Sequence, residues 1–113
     1  MTEYATLHSD SVIKIDPSIG MDKAAIVGCA VMTGAGAALN TAKVEPGSTV
    51  AVIGCGGVGL AAINGAAIAG ASRIIAVDLS PEKLQLATRF GATDTVNPKN
   101  GNAIEQVKEL TKG

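Results

Sequence analysis

Two short β-branched runs, TVAVI at 49–53 and RIIAV at 73–77, flank a stretch made almost entirely of glycine, alanine and aliphatic residues. That alternation constrains the fold more than any other feature of the chain. An apolar run of this length bounded by turn residues reads as a strand covered on both faces. Between the runs, residues 58–69 are apolar nearly all round, which predicts a helix of small side chains lying close on a sheet. Ser80-Pro81-Glu82 then offers an N-cap, a proline at the first helical position and an acid in the first turn. Leu84, Ala87 and Phe90 share one face of that helix, and Gly91 stops it. TDTV at 93–96 follows as a third strand, and 102–110 as a third helix with Ile104, Val107 and Leu110 on one stripe. Strand and helix alternating three times implies right-handed crossovers and a parallel sheet, one half of a doubly wound α/β fold.

The first 43 residues are organised differently. VIKI at 12–15 reads as a strand and Asp16-Pro17 as a turn, while Asp22 to Thr41 reads as one or two alanine-rich helices interrupted at Thr33-Gly34. Val44 to Ser48 is the natural joint, which divides the chain into 1–43 and 44–113. With 17% charged residues and a formal net charge of -1, the chain is neither disordered nor a polycation suited to nucleic acid. The cysteines, Cys29 and Cys55, have no second cysteine or histidine beside them for a local zinc knuckle or redox pair, and a disulfide between them finds little support. The N-terminus lacks the pattern of a secretion signal, so a reducing, cytoplasmic setting is expected.

Two uncharged stretches, 24–42 and 46–72, raise a rival reading as a glycine-rich membrane hairpin. Three features oppose it. The second stretch carries Pro46 and many glycines where lipid calls for large apolar side chains, turn clusters divide it into short pieces, and neither stretch holds a carboxylate of the kind an ion-carrying rotor needs.

The candidate site lies where the first strand ends. Gly54, Gly56 and Gly59 form a G-x-G-x-x-G pattern between a strand and a helix, and Asp78 ends the next strand 19 residues after Gly59. Each position has a physical task. Gly54 permits the tight turn, Gly56 lets the backbone approach a pyrophosphate, and Gly59 allows close packing of the helix. The helix N-terminus offers free N–H groups to the phosphates. Asp78 can accept hydrogen bonds from an adenosine ribose and would repel a 2'-phosphate, so NAD is favoured over NADP.

The stretch VGCAVMTGAGAALNTAKVEPGSTVAVIGCGGVGLAAINGAAIAGASRIIAVDLSPEKLQLATRFGATDTVNP closely resembles the middle of the zinc-dependent medium-chain alcohol dehydrogenases. The likeness is greatest to the branch that oxidises thiol adducts of formaldehyde. It runs from about Tyr4 onward and rests on GC-x3-TG, the GGVG loop and the acid-terminated strand, in order and correctly spaced. The resemblance implies a half Rossmann domain preceded by the end of a GroES-like catalytic domain. It implies that Cys29 is one of three protein ligands to a catalytic zinc, the others being a cysteine and a histidine from upstream. Thr33 would lie near the nicotinamide and Lys83 beside the adenosine ribose. Gly54, Gly56, Gly57, Val58 and Gly59 would form the pyrophosphate loop. Cofactors NAD and zinc, an alcohol, aldehyde or thiol-adduct substrate, and a homo-oligomeric parent come with it.

The departures from the family pattern are large. His8 does not match the zinc-ligand histidine, no cysteine precedes Cys29, and the four-cysteine structural zinc loop is missing. The expectation is a truncated central portion, inactive alone in alcohol oxidation and prone to unfold or self-associate through its open sheet edge. A non-catalytic adenine-nucleotide-binding module is the alternative. Cys55, His8, Met21, Met32 and Glu82 carry no assigned chemistry, Met21 and Met32 reading as core or partly exposed filler.

Overall fold

The computed structural model describes residues 2–112. A long helix, α1 (Met21–Thr41), precedes β1 (Thr49–Ile53), α2 (Gly57–Ile68), β2 (Arg73–Val77), α3 (Pro81–Arg89), β3 (Asp94–Val96) and α4 (Ala103–Thr111). The strands form one sheet in the order β1-β2-β3, parallel throughout, with Thr49 opposite Arg73 and Ile75 opposite Asp94. The expected α/β half sheet is therefore present, and each expected helix lies within two residues of its expected bounds.

Local chemistry explains the boundaries. Ser80 caps α3 by accepting from the Lys83 N–H, with Pro81 at the first helical position, and Asn102 caps α4 by accepting from the Ile104 N–H. Gly91 ends the α3 turn with a φ of +115°.

Residues in β2 alternate between two cores. Ile74 and Ala76 face one side, where Ile63 and Ala66 of α2 and Leu84 and Ala87 of α3 close over them. Ile75 and Val77 face the other, against Val96 with Ala103, Val107 and Leu110 of α4. The α4 stripe thus begins at Ala103 rather than Ile104, which is 68% exposed. Spacing of four and three from Ala103 brings its face round to β3, whereas Ile104 sits one position, about 100°, off it. On α3, Leu84 and Ala87 are buried as expected, whereas Phe90, the residue after the helix, is exposed.

Four further sequence expectations are corrected. Residues 12–15 are not a strand, because no described strand lies beside them to pair with, and every residue from 2 to 20 is exposed. α1 runs unbroken through Thr33-Gly34, accommodated by two wider turns at Val27–Val31 and Ala37–Thr41. Gly34 is there for contact. A Cβ on it would fall on the Val58 carbonyl oxygen and within 2.6 Å of the Ala61 Cβ, so the glycine lets α1 cross α2 at backbone distance. β1 is covered on one face only, since Val50 and Val52 pack into the core while Thr49, Ala51 and Ile53 are exposed. Met21 and Met32 lie on the exposed side of α1 and fill no core.

α1 is long and apolar enough, by length and composition, to cross a membrane. Of its residues only Gly34 and Ala38 are buried, where it crosses α2, and most of its large apolar side chains are exposed.

Candidate functional site

The first strand ends in a turn that only its glycines allow. Gly54 takes φ +94°, which any side chain would strain, and its N–H still donates to the Val77 carbonyl at 2.7 Å, so the loop leaves the sheet under control. Gly56 then acts as the N-cap of α2 without a side chain to occupy the helix end. The N–H groups of the first turn therefore face outward without an intrahelical acceptor, under the positive end of the helix dipole. A Cβ on Gly59 would fall on the Gly54 carbonyl and lie 2.9 Å from its carbon, so Gly59 closes the turn on itself. Gly59 thus packs against the loop more than against the sheet. Gly56 differs: a Cβ there meets nothing within 4 Å. The protein's own packing does not ask for glycine at 56, while a diphosphate laid along that backbone does.

Asp78 closes the loop from the neighbouring strand. Its Oδ2 accepts from the Cys55 N–H at 2.8 Å and its Oδ1 from the Ser80 N–H at 2.9 Å. Those two backbone donors, with a smaller contribution from Lys83, hold the carboxyl below its ordinary range. Each oxygen keeps a lone pair for a further donor such as a sugar hydroxyl. Cys55 is buried with its Sγ–H directed at the Val77 carbonyl, and burial together with the Asp78 charge pushes the thiol up, so it remains protonated.

Beside the loop, an open groove of about 770 Å³ runs along the carboxyl ends of β1 and β2. It is lined by Gly54, Asp78 and Lys83 among the expected residues. Ser80, expected only as a helix cap, also lines it, as do Pro98 and Lys99, to which no sequence expectation gave a role in the site. Pro98 and Lys99 follow the third strand, and the only signal for them was that ligands in such sheets sit beyond the strands' carboxyl ends. Gly56, Gly57, Val58 and Gly59 stand at the adjoining helix end rather than in the groove lining.

The residues from α1 are less complete. Gly57 is in contact with Ala30, its Cβ position 3.5 Å from the Ala30 Cβ, so the α1 segment carrying Cys29 and Thr33 passes beside the start of α2. Cys29 and Thr33 are both exposed there, and both cysteines are free thiols. His8 lies in the N-terminal segment, where its Nδ1 accepts from the Asp10 N–H at 3.3 Å. Among the described residues no group of three histidine, cysteine or acidic side chains is placed to hold a metal ion. The donor set present does not fit a zinc centre, whereas the loop, its open Gly56 and the oriented Asp78 do fit a dinucleotide.

Comparison with known proteins agrees with this geometry. Residues 57–113 match the family described as zinc-binding dehydrogenase. The chain is 50% identical over 117 residues to the S-(hydroxymethyl)glutathione dehydrogenase of Saccharomyces cerevisiae, aligning 99% of this chain with 30% of that protein. It is 50% identical over 114 residues to alcohol dehydrogenase 1 of Zea luxurians, again over 99% of this chain and 39% of the relative. Among solved structures, benzyl alcohol dehydrogenase from Acinetobacter calcoaceticus superposes with a TM-score of 0.85 at 40% identity, over 89% of this chain and 28% of that one. An alcohol dehydrogenase from Thermus sp. ATN1 gives a TM-score of 0.79 at 37% identity, over 88% of this chain and 28% of its own. The chain spans about a third of the length of the curated relatives it matches. On its sequence match and its fold together, it belongs to the zinc-binding dehydrogenase family.

Proposed function

We propose that this chain is the NAD-binding core of a zinc-dependent alcohol dehydrogenase, with residues 44–113 forming the first half of the cofactor domain and residues 1–43 the end of the catalytic domain. One observation carries the reading: the Asp78 carboxylate is fastened to the glycine loop through the Cys55 N–H, which brings a ribose acceptor and a pyrophosphate cradle into one site. Gly54, Gly56, Gly57, Val58 and Gly59 hold the diphosphate. Asp78 accepts from the adenosine ribose, with Lys83 at its side. Thr33 lies toward the nicotinamide. When bound, NAD supplies the hydride acceptor for alcohol oxidation.

Cys29 contributes one ligand to a zinc site that the described residues do not complete. Substrate class follows the resemblance and the relatives' names: a primary alcohol or aldehyde, or a thiol adduct of formaldehyde as in the yeast relative. The parent enzyme is read as a cytoplasmic homo-oligomer without nucleic-acid or membrane partners.

The test is a titration of the 113-residue chain with NAD, followed by amide NMR. Saturable shifts at Gly56, Val58 and Asp78 are expected. Shifts absent there at millimolar NAD would overturn the assignment of the loop.

A further inference from the structure

Four charged side chains line the groove beyond β2: Asp78, Glu82, Lys83 and Lys99. Ser80 links the two acids, its N–H donating to Asp78 Oδ1 at 2.9 Å. Its hydroxyl donates to Glu82 Oε2 at 2.6 Å and accepts from the Lys83 N–H at 3.3 Å. A serine hydroxyl has one proton to give. While Glu82 holds that proton, Ser80 has none for a phosphate oxygen.

We propose that Glu82 is a specificity-determining residue of the nucleotide groove, excluding a phosphate on the adenosine ribose by offsetting the charge that Lys83 and Lys99 bring to it. The inference rests on the reading that this groove takes the adenosine end of a dinucleotide. Asp78 and Glu82 divide the work. Asp78 is bonded to two backbone N–H groups, so its carboxylate shapes the loop as well as meeting the sugar. Glu82 is bonded to the Ser80 hydroxyl, outside the loop, so its charge can be removed while the Cys55 tether remains.

The charge balance points the same way. Two carboxylates and two ammonium groups leave the groove neutral, and an entering 2'-phosphate brings about -1.5 to -2 charge to a site whose nearest hydroxyl proton is already committed. Neutralising Glu82 leaves two lysines against Asp78. The Ser80 hydroxyl, followed by the Glu82 N–H and Lys99, keeps the Glu82 carboxyl below its ordinary range, so the acid is ionised at neutral pH. The backbone of Lys99 is held in place just after the third strand. The Asn97 amide donates to the Leu79 carbonyl at 3.3 Å, and its Oδ1 accepts from the Lys99 N–H at 2.9 Å. This fastens the Pro98–Asn100 turn to the end of β2.

The experiment titrates the chain with 5'-AMP and with adenosine 2',5'-bisphosphate, reading amide shifts in the wild type, Glu82→Gln, Lys99→Gln and the double variant. The bisphosphate-to-AMP affinity ratio should rise about fivefold in Glu82→Gln, the effect of one close charge in water. It should fall in Lys99→Gln and return toward the wild-type value in the double variant. An unchanged ratio in Glu82→Gln, with AMP still bound, overturns the inference and leaves the nucleotide reading standing. If Glu82→Gln fails to fold, an unchanged ratio in Lys99→Gln overturns it instead. Failure of the wild type to bind AMP overturns the nucleotide reading and this inference with it.

Discussion

Gly56 and Gly59 stand three residues apart at the start of α2, yet a methyl group added to the first meets open space and one added to the second falls on the Gly54 carbonyl. The two alanine variants should therefore separate binding from folding. Gly59→Ala is expected to lower stability by about 1–3 kcal/mol, because a backbone carbonyl cannot step aside as a side chain can. Gly56→Ala should change stability by no more than about 1 kcal/mol, the scale of an N-cap effect. It should nonetheless weaken NAD binding by at least about tenfold, since the methyl occupies the space the diphosphate needs. Thermal melts and NAD titrations of the same two proteins check both halves. Equal melting and equal binding in the two variants would contradict the division.

Asp78 gives the pH dependence at the same scale. Its carboxyl lies below the ordinary 3.8 when folded, chiefly because the Cys55 N–H and then the Ser80 N–H donate to the ionised form. A lowered folded value means its contribution is fully present above 3.8 and disappears as pH falls through the lower folded value. Cys55 and Ser80 amide shifts should therefore hold steady down to about pH 4 and move only below it. A midpoint above 3.8 would contradict the tether. Asp78 itself was legible in the sequence from its place at a strand end. Its hydrogen bond to the loop was not, because whether a carboxylate meets the Cys55 N–H depends on how two strand ends are juxtaposed.

At the scale of elements, the regular strand–helix alternation after Val44 was legible because each strand has its own β-branched run and α3 and α4 have side-chain caps at Ser80 and Asn102. The misreadings all involve partners. VIKI at 12–15 has strand chemistry, but a strand exists only beside another, and none of the described strands is there. Gly34 looked like a break because glycine disfavours a helix interior by about 1 kcal/mol relative to alanine. The structure uses it instead to seat α1 on α2, with Gly65 on α2 giving the same closeness against the Ala35 backbone at 3.0 Å. Gly34→Val is accordingly expected to part the two helices and cost about 2–4 kcal/mol, more than any gain in helix propensity returns. Denaturant unfolding would check it, and a variant as stable as the wild type would show that the crossing is not close.

For the molecule as a whole, dimensions and exposure tell one story. The Cα radius of gyration is 16.5 Å, against about 13 Å for a globular domain of this length. The excess accompanies an N-terminal segment in which every residue from 2 to 20 is exposed. On the sheet, Ala51 and Ile53 of β1 border an apolar hollow of about 230 Å³ with Val77, Ala103, Ile104 and Val107. Ile53 is 86% exposed, and β2 is the only described strand paired with β1. An unpaired edge strand beside an uncovered apolar face is a template for association. Sedimentation velocity should show the 113-residue chain shifting to larger species as concentration rises. Ile53→Lys should reduce that shift, because a lysine on the face next to the open edge opposes association by charge and costs little where the side chain is already in water. Wild-type chain that sediments as a monomer over the whole range would mean that the open edge and bare face are tolerated, and that the exposed isoleucine has no bearing on how the chain behaves in solution.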